Sequence, residues 1–312
     1  MTASFETARV ILRSPPNLEF KSGGRLEGRH GPPRDDGKFS DLPVLLPFRL
    51  ARPAEPVFSP TARWGLMLIV LFALSVGAAE AQTSAGQPGI LATIWKWTPL
   101  LAQGFALNIA ISFLAMAIGT AAGVPLGICQ ISLLPPLRGG SWFVTQFFRN
   151  SPWLVLLFYC MLLLPFEVNI AGHIVPIPGW IKSTVGLSLP VMANMSELVR
   201  GAIRSIPAGQ WEAADALAFS RRQILWMIIL PQCVKRMTPP WMNLYAILTV
   251  ATPLCSVVGV SEAMTLTRDA LASEARNELL VPMYLYLLAA FFVYCYPIAR
   301  ATQALEKKFA VK

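Results

Sequence analysis

The chain alternates long apolar runs with short polar stretches along most of its length. Five of these runs approach or exceed the roughly 20 residues that an α-helix needs to cross ~30 Å of hydrocarbon. They predict five membrane-spanning helices, within residues 100–134, 143–166, 186–203, 239–260 and 282–301. A polar stretch at Arg149-Asn150-Ser151-Pro152 interrupts the second run.

The first 81 residues differ from the rest of the chain. Residues 1–62 hold nine prolines and sixteen charged residues, so we expect a disordered tail that cannot bury enough apolar surface to offset its ordering entropy. Residues 63–81 contain an apolar run that ends in Ala79-Glu80-Ala81, a pattern typical of a signal-peptide cleavage site. An uncleaved N-terminal helix and a cleaved signal-like segment both fit this run.

Composition and charge indicate an integral membrane protein. Hydrophobic residues make up 54% and charged residues 14% of the 312 residues, against about 25% charged in soluble proteins. Of the 26 basic residues, 22 fall on one side of the predicted spans, which predicts a multi-pass membrane protein with its C-terminus in the cytoplasm. This topology accounts for the net charge of +9, so we expect contact with membrane lipid and predict no nucleic-acid partner.

The polar loop 204–237 is predicted to be cytoplasmic and helical. Pro207 suits the first turn of a short helix, and Ala214 and Ala218 are expected to share one face of it. Ser220 is expected to cap a second helix, which should stop before Pro231. Such a helical hairpin either docks a soluble partner or lies on lipid headgroups, attracted through its basic residues.

Four motifs in this order and spacing resemble those of ABC-importer permeases, over about residues 98–309. The loop resembles the family's EAA motif, usually written EAA-x3-G with Leu-Pro about a dozen residues later, in Glu212, Ala213, Ala214, Ala218, Leu230 and Pro231. Residues 148–152, 197–201 and 256–260 resemble motifs of the polar amino-acid branch.

The sequence also departs from the family pattern. Ala218 replaces the loop glycine, and we expect it to permit a helix but no left-handed turn. Residues 148–152 lack the glycine of the family motif, and Val250-Ala251 replace a Lys-Asp pair. Pro253 is an added proline, which we expect to bend its helix.

The resemblance implies an all-α protein of the bacterial cytoplasmic (inner) membrane, with the five-helix transmembrane core of a type I importer and a cytoplasmic coupling-helix loop. It implies a non-catalytic permease that translocates a small polar solute, with an amino acid expected first. The implied partners are a cytoplasmic ABC ATPase dimer that holds ATP-Mg, a second permease copy or homologous permease, and an extracytoplasmic substrate-binding protein. This chain is expected to bind no cofactor or metal, since it has neither a phosphate-binding G-x4-G-K-[ST] motif nor a cysteine–histidine cluster.

Roles for individual residues follow from the resemblance and from their positions. Glu212 is expected to pair with the ATPase, and the loop alanines to pack against it. Candidate substrate contacts are the polar and proline residues of the fourth span, Asn243, Thr249, Thr252, Pro253 and Ser256. A self-contained secondary transporter or channel is the main alternative, but its spans should carry ion-coupling acids; an ABC permease for another kind of solute is a second.

Overall fold

The computed structural model describes residues 62–83, 87–170 and 173–309. The first half contains α1 (Ala62–Glu80), α2 (Ile90–Cys129), α3 (Pro135–Asn150), α4 (Trp153–Leu163) and an antiparallel hairpin of β1 (Glu167–Ile170) and β2 (His173–Pro176). The second half contains α5 (Gly179–Arg204), α6 (Ala208–Ala216), α7 (Arg221–Gln223), α8 (Leu230–Ala251), α9 (Ala263–Glu274) and α10 (Leu280–Phe309). The tail predicted for residues 1–62 lies almost wholly outside the described residues.

Helices α2 and α5 form the centre of the bundle, and small residues let them approach closely. Gly119, Gly123 and Gly127 lie one turn apart on α2 and face α5. A Cβ atom at Gly123 would lie 2.6 Å from the carbonyl oxygen of Met192, too close for any side chain. The GxxxG spacing therefore serves helix crossing, as in other membrane bundles.

Two of the described helical segments combine the length and hydropathy needed to cross a membrane, Ile90–Cys129 and Asn277–Phe309. Helix α5 has 26 residues, about 39 Å at 1.5 Å per residue, but it also carries charged residues. The predicted span at 143–166 is two helices, α3 and α4, separated at Ser151 and Pro152. Helix α4 alone, with 11 residues, reaches only about 16 Å.

Helix α7 runs into α8 without a break, so the prediction that it stops before Pro231 is wrong. Residues Ile224–Ile229 form a π-helical segment, and Pro231 lies in the first turn of α8. A proline has no N–H to donate, and it is tolerated there because the π-helical segment directly before it already interrupts the regular α-helical hydrogen-bond pattern. Helix α8 ends at Ala251 and continues as a 3-10 turn over Thr252–Ser256, which contains Pro253; the bend expected there stays a prediction.

Helix α1 packs along α10 at the start of the described chain. Its last turn is held to α2, because the Glu80 carboxylate accepts a hydrogen bond of 2.7 Å from the backbone N–H of Ile90. Ala79, next to the predicted cleavage site, is buried against Ile90, Ile94 and Met283. The choice between a retained helix and a cleaved segment stays a prediction.

Candidate functional site

The loop between α5 and α8 is built on one buried alanine. Ala214 is 3% exposed and packs in an apolar cluster with Ile206, Ile224 and Ile229. Arg236 of α8 holds the start of the loop by donating a hydrogen bond of 2.7 Å to the backbone oxygen of Ser205. The short helix α6 is thus fixed to the bundle by its inner face.

The outer face of α6 carries the predicted partner contacts. Glu212 and Ala213 are exposed, and Glu212 forms no ion pair or hydrogen bond with any residue that the structure describes. Leu230 is half-buried in the same cluster as Ala214, and Pro231 is exposed. Among the EAA residues, Ala214 is therefore buried against the bundle, whereas Glu212 and Ala213 form an exposed edge of α6.

Ala218 adopts the left-handed conformation, with φ of +57°, so the expectation that it continues a helix is wrong. The N–H of Phe219 bonds to the oxygen of Ala214 and the N–H of Ala218 to that of Asp215, which together form a Schellman motif. Because α6 ends at Ala216, Ala214 and Ala218 do not share a helix face, contrary to the prediction. A glycine is favoured at this position because it has no Cβ penalty there.

The segment after the turn begins as predicted. Ser220 Oγ accepts from the backbone N–H of Gln223, and Gln223 Oε1 accepts from the N–H of Ser220 at 2.9 Å. This reciprocal capping box satisfies two donors at the start of α7. The left-handed Ala218 and the cap at Ser220 together set the angle between α6 and α7.

A cleft of about 290 Å³ opens where α3, α5 and α8 meet, and four of its eight lining residues are apolar. We name it the polar cleft after the other four. It is lined by the charged pair Arg149 and Glu197 and by two amides, Asn194 and Asn243. Arg200 Nε donates to Glu197 at 3.0 Å, and Arg149 lies 3.9 Å from the same carboxylate. The cleft thus presents a positive group, a negative group and neutral donors and acceptors within a small space.

The other candidate contacts lie elsewhere along α8 and beyond. Thr249 and Thr252 are fully buried, and Thr252 Oγ1 accepts a hydrogen bond of 3.0 Å from Asn108 of α2. Pro253 and Ser256 are half-buried, and the Ser256 hydroxyl bonds to the Pro253 carbonyl oxygen. Of the five candidates, only Asn243 faces the polar cleft.

Residues 115–311 match the family of binding-protein-dependent transport system inner membrane components. The chain belongs to this family. A solved amino-acid ABC transporter, crystallised with histidines, aligns with a TM-score of 0.60 at 21% identity, over 71% of this chain and 99% of that one, which shows the fold.

Two relatives give the range of similarity within the family. The chain is 31% identical over 212 residues to the probable amino-acid ABC transporter permease protein YckA of Bacillus subtilis, covering 68% of this chain and 90% of YckA. It is 27% identical over 206 residues to the inner membrane amino-acid ABC transporter permease protein YhdY of Escherichia coli. That match covers 66% of this chain and 55% of YhdY, so the chain spans about half of that relative.

As a binding-protein-dependent transport component, the chain is the membrane permease subunit of an ABC importer. A permease of this family has no catalytic role of its own; a separate ATPase subunit supplies energy and a substrate-binding protein delivers the solute. The predictions of an ABC permease, of a helical importer fold and of a membrane protein are confirmed.

Sequence reasoning missed a buried acid beside the predicted pathway. Glu262 is fully buried and accepts hydrogen bonds from Asn108 at 2.8 Å and from the backbone N–H groups of Met264 and Thr265. It is the cap of α9, and its place directly before a helical stretch was the available signal. No spacing of residues along the sequence indicates that Asn108 is the partner of Glu262.

A second missed residue is Lys182, in the first turn of α5. It is 1% exposed, and its Nζ donates to the backbone oxygen of Leu164 at 3.0 Å and lies over the ring of Phe166. Lys182 thereby satisfies a carbonyl group at the C-terminal end of α4, where a helix leaves such groups without partners.

Proposed function

We propose that this permease imports an amino acid, driven by a cytoplasmic ATPase dimer that grips the loop between α5 and α8. The polar cleft at Arg149, Asn194, Glu197 and Asn243 is the observation that carries the choice of cargo. The names of YckA and YhdY, both amino-acid ABC transporter permeases, support the same choice.

The charges in the cleft suit a zwitterion. A free amino acid carries a carboxylate and an ammonium group. The half-exposed guanidinium of Arg149 can meet the first, and the Glu197 oxygen that Arg200 does not hold can meet the second. An apolar solute would pair with neither charged group, and a simple cation would pair only with the Glu197 carboxylate. Amide groups of Asn194 and Asn243 add hydrogen bonds that a bound solute exchanges for those it loses to water.

The exposed edge of α6 is proposed to be the contact with the ATPase. Glu212 offers a carboxylate that no other described residue binds, and Ala213 lets the ATPase backbone approach. ATP-driven closure of the partner would pull on α6, and the buried Ala214 would pass that movement to α5 and α8. This is alternating access between two packed arrangements of the bundle.

The remaining assembly is proposed from the same topology. The loop 204–237 and the C-terminus face the cytoplasm, and a second permease copy or a homologous permease completes the pathway. The substrate-binding protein docks on the opposite face, near the β-hairpin and the segment 261–281 that carries α9. The ATP-Mg resides on the ATPase subunit.

The experiment measures uptake of labelled amino acids by the complete transporter in proteoliposomes, with binding protein outside and ATP inside. Glu212→Ala and Ala213→Trp are expected to lower uptake at least tenfold and to reduce copurification of the ATPase. Both positions are exposed, so neither change disturbs the core, whereas Ala214 is buried and a bulky residue there would test folding instead.

Glu306→Ala is the matched control, because it removes the same charge from an exposed site at the far end of α10. Uptake by this variant should equal that of the unmodified protein. Normal uptake by both loop variants would contradict the coupling role. Uptake by the chain without any ATPase would contradict the proposed function as a whole.

A further inference from the structure

Three arginines surround a cleft beside α6 that has no assigned role. Arg138, Arg204 and Arg221 line a space of about 310 Å³ between the end of α2, the end of α5 and the coupling loop. Within the described part of the chain, none of the three forms an ion pair with a carboxylate. Arg221 instead lies over the ring of Trp211, with 5.9 Å between guanidinium and ring centroid.

The cleft also contains an unsatisfied buried acceptor. Gln130 is 2% exposed, and its Nε2 donates to Thr145 at 3.0 Å and to Ser196. Its Oε1 accepts no hydrogen bond from the residues that the structure describes, and it is the one such buried side-chain atom among them. A buried acceptor without a donor is unfavourable, so a ligand that supplies a donor is favoured here.

An apolar cleft of about 350 Å³ adjoins the basic one. The two share Ile131, Trp211 and Arg221, and the second is otherwise lined mainly by Ile128, Leu133, Leu137 and Leu225. Leu133 is 69% exposed and Leu134 beside it 62%. Both clefts lie at the end of the spanning helix α2, where the hydrocarbon of a membrane gives way to headgroups.

We propose that these two clefts bind one anionic phospholipid of the membrane with a hydroxyl-bearing headgroup, of the phosphatidylglycerol class. Its phosphate lies among the three arginines, a headgroup hydroxyl donates to Gln130 Oε1, and an acyl chain follows the apolar cleft. Guanidinium groups suit this role because they bind phosphate oxygens with paired N–H donors. A basic patch beside an apolar groove fits a phospholipid better than free phosphate, which would leave the groove empty.

The position of the lipid gives it a consequence for transport. Trp211 belongs to α6 and Arg221 opens α7, so the bound headgroup contacts both arms of the coupling loop. The lipid therefore stabilises the angle between them. This consequence rests on the proposed coupling role, whereas lipid binding itself does not.

The test measures lipid retention on the purified full chain by native mass spectrometry, after reconstitution in nanodiscs of phosphatidylcholine with or without phosphatidylglycerol. The unmodified protein should retain phosphatidylglycerol in at least tenfold preference to phosphatidylcholine. Arg138→Gln and Arg204→Gln should each lower retention about fivefold, the equivalent of ~1 kcal/mol per basic residue near a membrane surface. Added inorganic phosphate should not displace the lipid.

Arg222→Gln is the matched control, since it removes one exposed arginine from the same loop outside both clefts. Its retention should equal that of the unmodified protein. Arg204→Lys keeps the charge and should retain most of the lipid. That result would show that a loss in Arg204→Gln comes from the missing charge and not from misfolding. Equal retention of the two lipids by the unmodified protein, equal losses in Arg204→Gln and Arg222→Gln, or displacement by phosphate would each overturn the proposal.

Because lipid retention needs no ATPase and no cargo, it is independent of the uptake experiment. Loss of uptake in Glu212→Ala with normal lipid selectivity supports both proposals. Normal uptake in that variant with normal lipid selectivity removes the coupling role and leaves the lipid site in place.

Discussion

The two ends of the bundle, one with α9 and the other with α6, differ in whether their charged side chains have partners inside the described protein. At the α9 end, the Asn108 amide donates hydrogen bonds to the Glu262 carboxylate and to the Thr252 hydroxyl inside the protein. At the α6 end, Glu212 and three arginines have no ion-pairing partner among the described residues. The first arrangement stabilises the chain alone, whereas the second leaves charges available to other molecules.

The comparison predicts its largest effect at Glu262. Glu262→Ala should lower the free energy of unfolding by about 3 kcal/mol, because it removes the cap of α9 and takes from the buried Asn108 amide one of its two acceptors, leaving only the Thr252 hydroxyl. Thermal unfolding of the detergent-solubilised protein, followed by loss of helical signal, measures the change.

Glu212→Ala provides the contrast at the other end. An exposed carboxylate without an internal partner should change the free energy of unfolding by less than about 0.5 kcal/mol. Similar stability losses in the two variants would end the distinction between an internally bonded end and an exposed one. The hydrogen bonds of Glu262 would then contribute no more to the free energy of unfolding than an exposed side chain does.

A smaller effect with the opposite sign is expected at Ala218. A non-glycine residue in the left-handed conformation costs about 1–2 kcal/mol, and glycine recovers part of this through its freedom at positive φ. Ala218→Gly should raise the free energy of unfolding by about 0.5–1 kcal/mol and leave the Schellman bonds in place.

Ala216→Gly serves as the control, since Ala216 is exposed at the end of α6 with ordinary helical geometry. Glycine there should destabilise by up to about 1 kcal/mol. Thermal unfolding of the two variants should therefore move in opposite directions. Destabilisation by both would show that Ala218 is not strained in the folded protein.

Local features of this fold were predictable, while several contacts over distance were not. The spans at α2 and α10 and the cap at Ser220 follow from composition and spacing within a few turns. The pairing of Asn108 with Glu262 joins residues 154 positions apart, and no local pattern encodes it. The buried acid was missed for that reason.

The two errors at the coupling loop have a common cause. Sequence rules treat a proline as a helix stop and an alanine as a helix former, because both rules assume an isolated α-helix. At Pro231 the preceding π-helical segment carries the chain into the first turn of α8. At Ala218 the bonds from residues 218 and 219 back to α6 fix the left-handed turn.

The smallest predicted effect concerns the pH dependence of a contact at the α9 end. A hydrogen bond from Lys96 and another from Trp97 lower the pKa of Glu274 below its ordinary value. A lowered folded-state pKa gives stability that is complete above the unfolded pKa of about 4.3 and is lost as the pH falls through the folded pKa. Since Lys96 is 64% exposed, solvent screening limits the contribution at pH 7 to about 0.5 kcal/mol.

Glu274→Gln should therefore be less stable than the unmodified protein at pH 7 by about 0.5 kcal/mol, and the gap should close as the pH falls below 4. Unfolding in detergent between pH 7 and pH 3 measures the gap. Lys96→Met should shrink it, because the first donor to the carboxylate is gone and only Trp97 remains. A gap that is independent of pH would mean that Glu274 contributes by packing alone, and the α9 end would then owe its stability to buried groups such as Glu262 rather than to surface charge.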